Sequence, residues 1–158
     1  MGKEKDKKAG AAKDGDKLMF IEWKNNLEIG DPVVDSEHRY LIQLINNFHE
    51  LFEKQGFKGN FANIFSHLAR YVRTHFENEE SLMMAIAYPE LENHRKQHEE
   101  LIEQSMELSE KYLDGSETIR KETFIFLKDW ALHHISETDM KIREFIEGER
   151  PPELTNTP

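Results

Sequence analysis

Seven side chains able to bind a metal recur at helical spacings: His38 alone, then His75-x-x-x-Glu79, His94-x-x-x-His98 and His134-x-x-x-x-Asp139. Residues four apart in an α-helix differ by about 40° in direction and about 6 Å along the axis, so the second and third groups each aim two ligands at one point. One helix cannot complete a coordination shell, so the groups must converge from several. Each shares a face with apolar residues: His38 with Leu41 and Ile45, His75 with Leu68, Val72 and Leu82, His98 with Leu101 and Ile102, His134 with Leu127 and Trp130. The histidines therefore point inward. A single inward histidine is ordinarily a hydrogen-bonded core residue. Five of them with two carboxylates are a different matter, because a dry core leaves their polar atoms unsatisfied while a metal takes up the lone pairs at once. The chain has no cysteine, which removes thiol catalysis, iron–sulfur clusters and thiolate zinc sites and leaves His, Asp and Glu as ligands.

Asp139 is the weak point of the pattern. Five residues along a straight helix turn it about 140° from His134, onto the face of Ile135, and it reaches the centre only through a local widening of the helix or an oblique bridging geometry. His49, His67 and His133 lie too far along their helices or point away, and solvated or core roles are expected for them. Glu77, Glu80, Glu99 and Glu137 sit beside ligands in sequence but on other faces, and are expected to be solvated.

The elements that must position these groups follow from an apolar period near 3.6. A first helix is expected over residues 36–54, capped by Asp35 or Ser36, with the stripe Leu41, Ile45, Phe48, Phe52 and a stop at Gly56. A second starts at Asn60 and runs to the Tyr88-Pro89 break, since the residue before proline disfavours the α conformation. A third starts near Pro89 and stops at Asp114-Gly115. The fourth opens at Ser116 and continues to Gly148 without a breaker. Four long helices with short connections imply an all-α, antiparallel up-down-up-down four-helix bundle. Residues 18–35, with Phe20, Trp23, Leu27, Ile29 and Gly30, read as an extended N-terminal arm packed on its outside.

The 158 residues carry a net charge of −10, which argues against nucleic acid or an anionic membrane surface as partner, since both require a basic patch. Residues 1–17 hold six lysines against four acidic residues and no large apolar side chain, the composition of a disordered charged tail. Residues 149–158 read as a second disordered tail, leaving 18–148 as one domain. No apolar run approaches the roughly 18 residues of a membrane span, and the first 17 residues lack the apolar core of a secretory signal. A cytoplasmic location is expected.

One His, then His-x-x-x-Glu, His-x-x-x-His and His-x-x-x-x-Asp over four helices resembles the motif set of the hemerythrin family, most nearly its bacterial members. Phe20-Ile-Glu-Trp23, Val34-Asp35-x-x-His38-x-x-Leu41 and Trp130-x-x-x-His134-Ile135 match as well, so the resemblance covers residues 18 to about 146. It implies a non-haem di-iron centre, bridged by an oxo or hydroxo group and by both carboxylates. His94, His98 and His134 with three bridging oxygens would fill six positions on one iron. His38 and His75 would leave the other with one vacancy, where dioxygen binds reversibly. Matching positions place Leu41, Phe76, Trp130 and Ile135 around an oxygen pocket. Family members often have leucine after the matching tryptophan, so Ala131 implies a roomier pocket here.

The resemblance implies an oxygen-binding protein for storage, transport or delivery and not an enzyme. The main rival is a di-iron oxidase or oxygenase of the ferritin-like kind, which uses four carboxylates and two Glu-x-x-His pairs; no Glu-x-x-His occurs here, and a side peroxidase activity is a further alternative. Another alternative is an oxygen or redox sensor acting through a separate signalling protein, with the lysine-rich tail as contact. An oxygen-consuming enzyme is the other partner class considered. Imidazoles also bind zinc and manganese, so metal identity comes first among the open questions.

Overall fold

Asp31 opens the first long helix, α1 (Pro32–Gln55), by accepting the backbone N–H groups of Val33 and Val34, each at 3.0 Å. Pro32 follows at the first helical position, where its missing N–H costs nothing. The helix thus begins four residues before the expected start at Ser36, and Asp31, not Asp35 or Ser36, is the cap. Asp35 is buried and folds the arm back instead, accepting Ile29 N–H at 2.7 Å and Gly30 N–H at 3.2 Å. Gly30 makes that reversal with φ +95°, a conformation glycine adopts without a Cβ clash.

The computed structural model describes residues 20–55, 61–114 and 117–148. The expected tails over 1–17 and 149–158, the helix starts at Asn60 and Ser116 and the stops at Gly56 and Gly115 lie outside the described residues. After α1 come α2 (Phe61–Ala85), α3 (Leu91–Asp114) and α4 (Glu117–His133), which runs through a π-helical segment (His134–Asp139) into α5 (Met140–Gly148). The α4–π–α5 rod is the fourth helix expected from the sequence. Neighbours in the chain are neighbours in space, α1 on α2, α2 on α3 and α3 on α4, and α4 closes the square against α1. The result is the all-α, antiparallel up-down-up-down bundle.

The α2–α3 turn shows how the second helix stops. Tyr88 N–H donates to Met83 O at 2.8 Å and Ala87 N–H to Met84 O at 3.2 Å, the paired bonds of a Schellman cap, with Ala87 in the left-handed position at φ 53°. The buried side chains of Tyr88 and Met83 belong to one apolar cluster, which adds the hydrophobic half of the motif.

The arm packs on the outer face of α1. Asn46 holds Ile21 through both its amide groups, accepting its N–H and donating to its carbonyl, each at 2.8 Å. Arg39 pairs with Glu28 and lies 4.9 Å from the centre of the Trp23 ring. The arm is not extended throughout: Asn25–Leu27 form a turn of 3-10 helix.

Two apolar clusters fill the bundle. The larger contains Leu41, Phe48, Phe65, Phe76, Tyr112, Phe124, Ala131 and Ile135; the smaller contains Ile29, Val34, Met83, Tyr88 and Ile142. On every long helix the candidate ligands lie between residues of the two clusters, so the layer of candidate donors is sandwiched between apolar layers. No helix among the described residues is long and apolar enough to cross a membrane.

Candidate metal centre

All seven predicted ligands are buried: His38, Glu79 and Asp139 at 0% exposure, His75 and His98 at 1%, His94 at 3% and His134 at 5%. They form two overlapping groups of mutually close donors, one of His94, His98, His134, Glu79 and Asp139, the other of His38, His75 and Glu79. α1 supplies His38, α2 His75 and Glu79, α3 His94 and His98, and the α4–π–α5 rod His134 and Asp139.

Asp139 arrives by the local widening that its spacing requires. The π segment begins at His134 and ends at Asp139, and both are buried in it. Bonding from i to i+5 lets five residues make roughly one turn, so the two side chains come to the same interior. The structure brings His134 Nε2 to 3.2 Å from Asp139 Oδ1.

Each carboxylate divides its oxygens between the two groups. Asp139 Oδ1 lies 3.3 Å from His94 Nε2 and 3.2 Å from His134 Nε2, while Oδ2 lies 3.2 Å from His38 Nε2. Glu79 Oε2 lies 3.3 Å from His94 Nε2 and 3.1 Å from His98 Nε2, while Oε1 faces His38 Nε2 at 3.9 Å. His98 Nε2 and His134 Nε2 are themselves 3.1 Å apart. Metal bonds of about 2.1–2.2 Å at right angles put neighbouring donors about 3.0–3.1 Å apart, so these separations suit a shared coordination sphere.

The unsatisfied atoms make the same point. His38 Nε2, His75 Nε2, Glu79 Oε1 and both oxygens of Asp139 are buried without a hydrogen-bond partner. Orphaned polar atoms on this scale are costly inside a protein, and metal coordination is the ligation chemistry this donor set supports. Burial and Asp139 work to raise the Glu79 pKa, but hydrogen bonds from His94 and His98 and the nearby His75 outweigh them and hold it at about 2. Burial likewise opposes ionisation of Asp139, and His134, His38 and His94 together hold it well below the usual range. Burial takes the His134 imidazole down to about 4 despite both carboxylates.

Outside the donors, Leu41, Phe76, Ala131 and Ile135 lie in one buried apolar cluster, with Trp130 packed against it. Phe76 reaches both groups, stacked on His98 at 3.7 Å and 5.7 Å from His75. Trp130 lies parallel to His134 at 6.5 Å, on the side of the larger group. Of the remaining histidines, His49 stacks on Phe20 at 4.0 Å, His67 is exposed, and His133 is exposed and pairs with Glu137.

Two carboxylates that hydrogen-bond the candidate ligands escape a reading by helical faces. Glu80, expected to be solvated, accepts His98 Nδ1–H at 2.9 Å and an ion pair from Arg95 at 3.0 Å. Glu37 accepts His75 Nδ1–H at 3.0 Å and Asn78 Nδ2–H at 2.6 Å. Both adjoin a ligand in sequence, which turns them about 100° onto the seam with the next helix and not onto the outer face. Glu77, Glu99 and Glu137 are exposed, as expected.

Residues 30–146 match the family model described as the hemerythrin HHE cation binding domain. A bacteriohemerythrin of Clostridium acetobutylicum is 29% identical over 133 residues, covering 82% of this chain and all of the relative. One from Pseudomonas aeruginosa is 30% identical over 123 residues, covering 77% of this chain and 78% of the relative. Crystal structures of two hemerythrin point mutants superpose with a TM-score of 0.71 at 23% and 22% identity, over 80% of this chain and 97% of theirs, and share the fold. The chain belongs to the hemerythrin family, whose domain holds a non-haem di-iron centre.

Proposed function

We propose that the protein binds dioxygen reversibly, for storage, transport or delivery, and that it is not an enzyme. His94, His98 and His134 would hold one iron and His38 and His75 the other, with Glu79 and Asp139 available to both. The observation that carries this reading is the division of each carboxylate between the two imidazole groups, with the facing atoms buried and otherwise unpartnered. Three imidazoles against two makes the second position the less saturated. When bound, a di-iron centre of this kind supplies an open coordination position and two reducing equivalents.

The remaining residues do three things. Five imidazoles and two carboxylates keep the site's anionic charge low, which disfavours the highly oxidised metal that oxygenase chemistry requires. Leu41, Phe76, Ala131 and Ile135 shut water out of the interior. The assigned pocket residues carry no acid or base, so only the indole N–H of Trp130 offers a polar group beyond the ligands. A partner, whether an oxygen-consuming enzyme or a signalling protein, would receive oxygen or a conformational signal from this centre.

The test is anaerobic reconstitution with ferrous iron, a count of bound metal, and visible spectra through cycles of air and argon. Two irons per chain and a band that forms in air and fades under argon are expected. A band that never forms, or one that passes irreversibly to a ferric product, overturns the proposal in favour of redox catalysis or another native metal.

A further inference from the structure

Two of the five imidazoles anchor their outer nitrogen on a carboxylate, one in each half of the site, and the two carboxylates differ in their own surroundings. Glu37 accepts from His75 at 3.0 Å and Glu80 accepts from His98 at 2.9 Å, so each fixes the tautomer that turns Nε2 inward. Their side chains are 14% and 20% exposed, so burial does not set them apart. Their counter-charges do. Glu80 is paired with the Arg95 guanidinium at 3.0 Å, which it shares with Glu92 at 2.8 Å. Glu37 has a neutral second partner, Asn78 at 2.6 Å, and among the described residues makes no ion pair with lysine or arginine. The backbone carbonyl of Glu37 also accepts the Tyr71 hydroxyl at 3.2 Å, which fixes the residue on the α1–α2 seam.

From this asymmetry we infer that Glu37 is a positioning residue that makes the His38–His75 metal position the more electron-rich of the two. Glu80, neutralised by Arg95, orients His98 without doing the same for the other. The inference rests on the ligand assignment proposed above. An imidazole whose N–H points at an uncompensated carboxylate gains basicity and donates more strongly through its other nitrogen. The same bond to a carboxylate already shared with a guanidinium withdraws less of the proton. The three-imidazole position therefore stays electron-poor despite its extra ligand, and the two-imidazole position is helped to give up an electron. No bond to carbon forms or breaks in this role; the carboxylate only changes how readily its neighbour's metal is oxidised.

The experiment uses the full chain loaded anaerobically with ferrous iron, with three variants: Glu37→Gln, Glu80→Gln and Arg95→Met. Iron per chain is measured first, then the midpoint potential of the bound metal by anaerobic titration, with circular dichroism to verify the fold. Glu37→Gln is expected to raise the potential and to weaken iron binding by about 10- to 100-fold. Glu80→Gln should raise the potential by a smaller shift. Arg95→Met should lower it, because Glu80 then acts on His98 with its full charge. A merely structural role for these groups predicts lost iron without opposite shifts. Equal shifts from the two Gln variants, or an unmoved potential in iron-loaded Arg95→Met, overturn this inference and leave the ligand assignment standing. A wild-type chain that does not retain two irons overturns the assignment, and this inference with it. Arg95 is partly exposed and outside the core, so its variant remains informative even if Glu37→Gln folds poorly.

Discussion

Asp139 illustrates what a single side chain contributes here, because its two oxygens serve different imidazoles, Oδ1 at 3.2 Å from His134 and Oδ2 at 3.2 Å from His38. On the proposed assignment, replacing it with alanine removes a ligand from both positions at once. Asp139→Ala is expected to lower the iron count from two per chain to one or none while leaving the helical circular dichroism intact, and two retained irons would reject the bridging role. Ala131 poses the opposite question, since it is 1% exposed in the cluster around the pocket. If room exists beside it, Ala131→Leu fills that room and slows autoxidation several-fold without loss of stability. If none exists, overpacking costs about 1–3 kcal/mol and a thermal melt shows it. An unchanged autoxidation rate in a stable variant would reject the idea of a roomy pocket. The candidate ligands were picked out in the sequence by types and spacing that suit a metal, and the structure brings all seven together in the interior. Glu37 and Glu80 were not, because an acid one step from a ligand faces a seam whose other side comes from a different helix. Only the packing reveals that Asn78 and Arg95 wait there.

At the scale of elements, periodicity marked the four helices well and their ends less well. The start of α1 was displaced because Asp31, Asp35 and Ser36 are all competent caps, and the arm decides among them by occupying Asp35. The π segment was legible only as a conflict: a His-x-x-x-x-Asp spacing that a regular helix cannot bring to one point. Glu137, exposed within that segment and paired among the described residues with exposed His133, supplies a test. Deleting it leaves three residues between the two candidate ligands, the i to i+4 spacing that a regular α-helix aligns within about 40°. Both the ligand geometry and the downstream register of Ile142 should survive, with two irons bound and a melting temperature that does not fall. Inserting an alanine after Glu137 instead rotates Asp139 and Ile142 by about 100° relative to His134. Iron binding and the smaller apolar cluster should then be lost together, read by metal analysis and by a lowered melting temperature. Iron binding that survives the insertion would show that the widened turn does not position Asp139.

The whole molecule joins these scales, because each of its four helical rods contributes candidate ligands to one buried layer between two apolar clusters. That architecture was readable from length and period, but not the closing contact of α4 on α1 or the arm's 3-10 turn, which depend on which faces meet in three dimensions. The consequence is a bundle whose centre is its costliest part without metal. Glu79 and Asp139 are anions at 0% exposure, and several atoms of the layer lack partners. Unfolding scatters the ligands over more than a hundred residues of chain, from His38 to Asp139, so iron binds the folded state and not the unfolded one. At free ferrous iron about 100 times the dissociation constant, this linkage adds about 2.7 kcal/mol for each iron bound. For a domain of this size each kcal/mol moves the melting temperature by about 2–4 °C, so anaerobic iron should raise it by about 5–11 °C per iron bound. The rise should grow with the logarithm of free iron and vanish in a variant lacking His75, Glu79 and His98, which removes ligands from both metal positions. A melting temperature indifferent to iron would mean that the metal does not tie the four rods together, and that the buried layer is stabilised by something else.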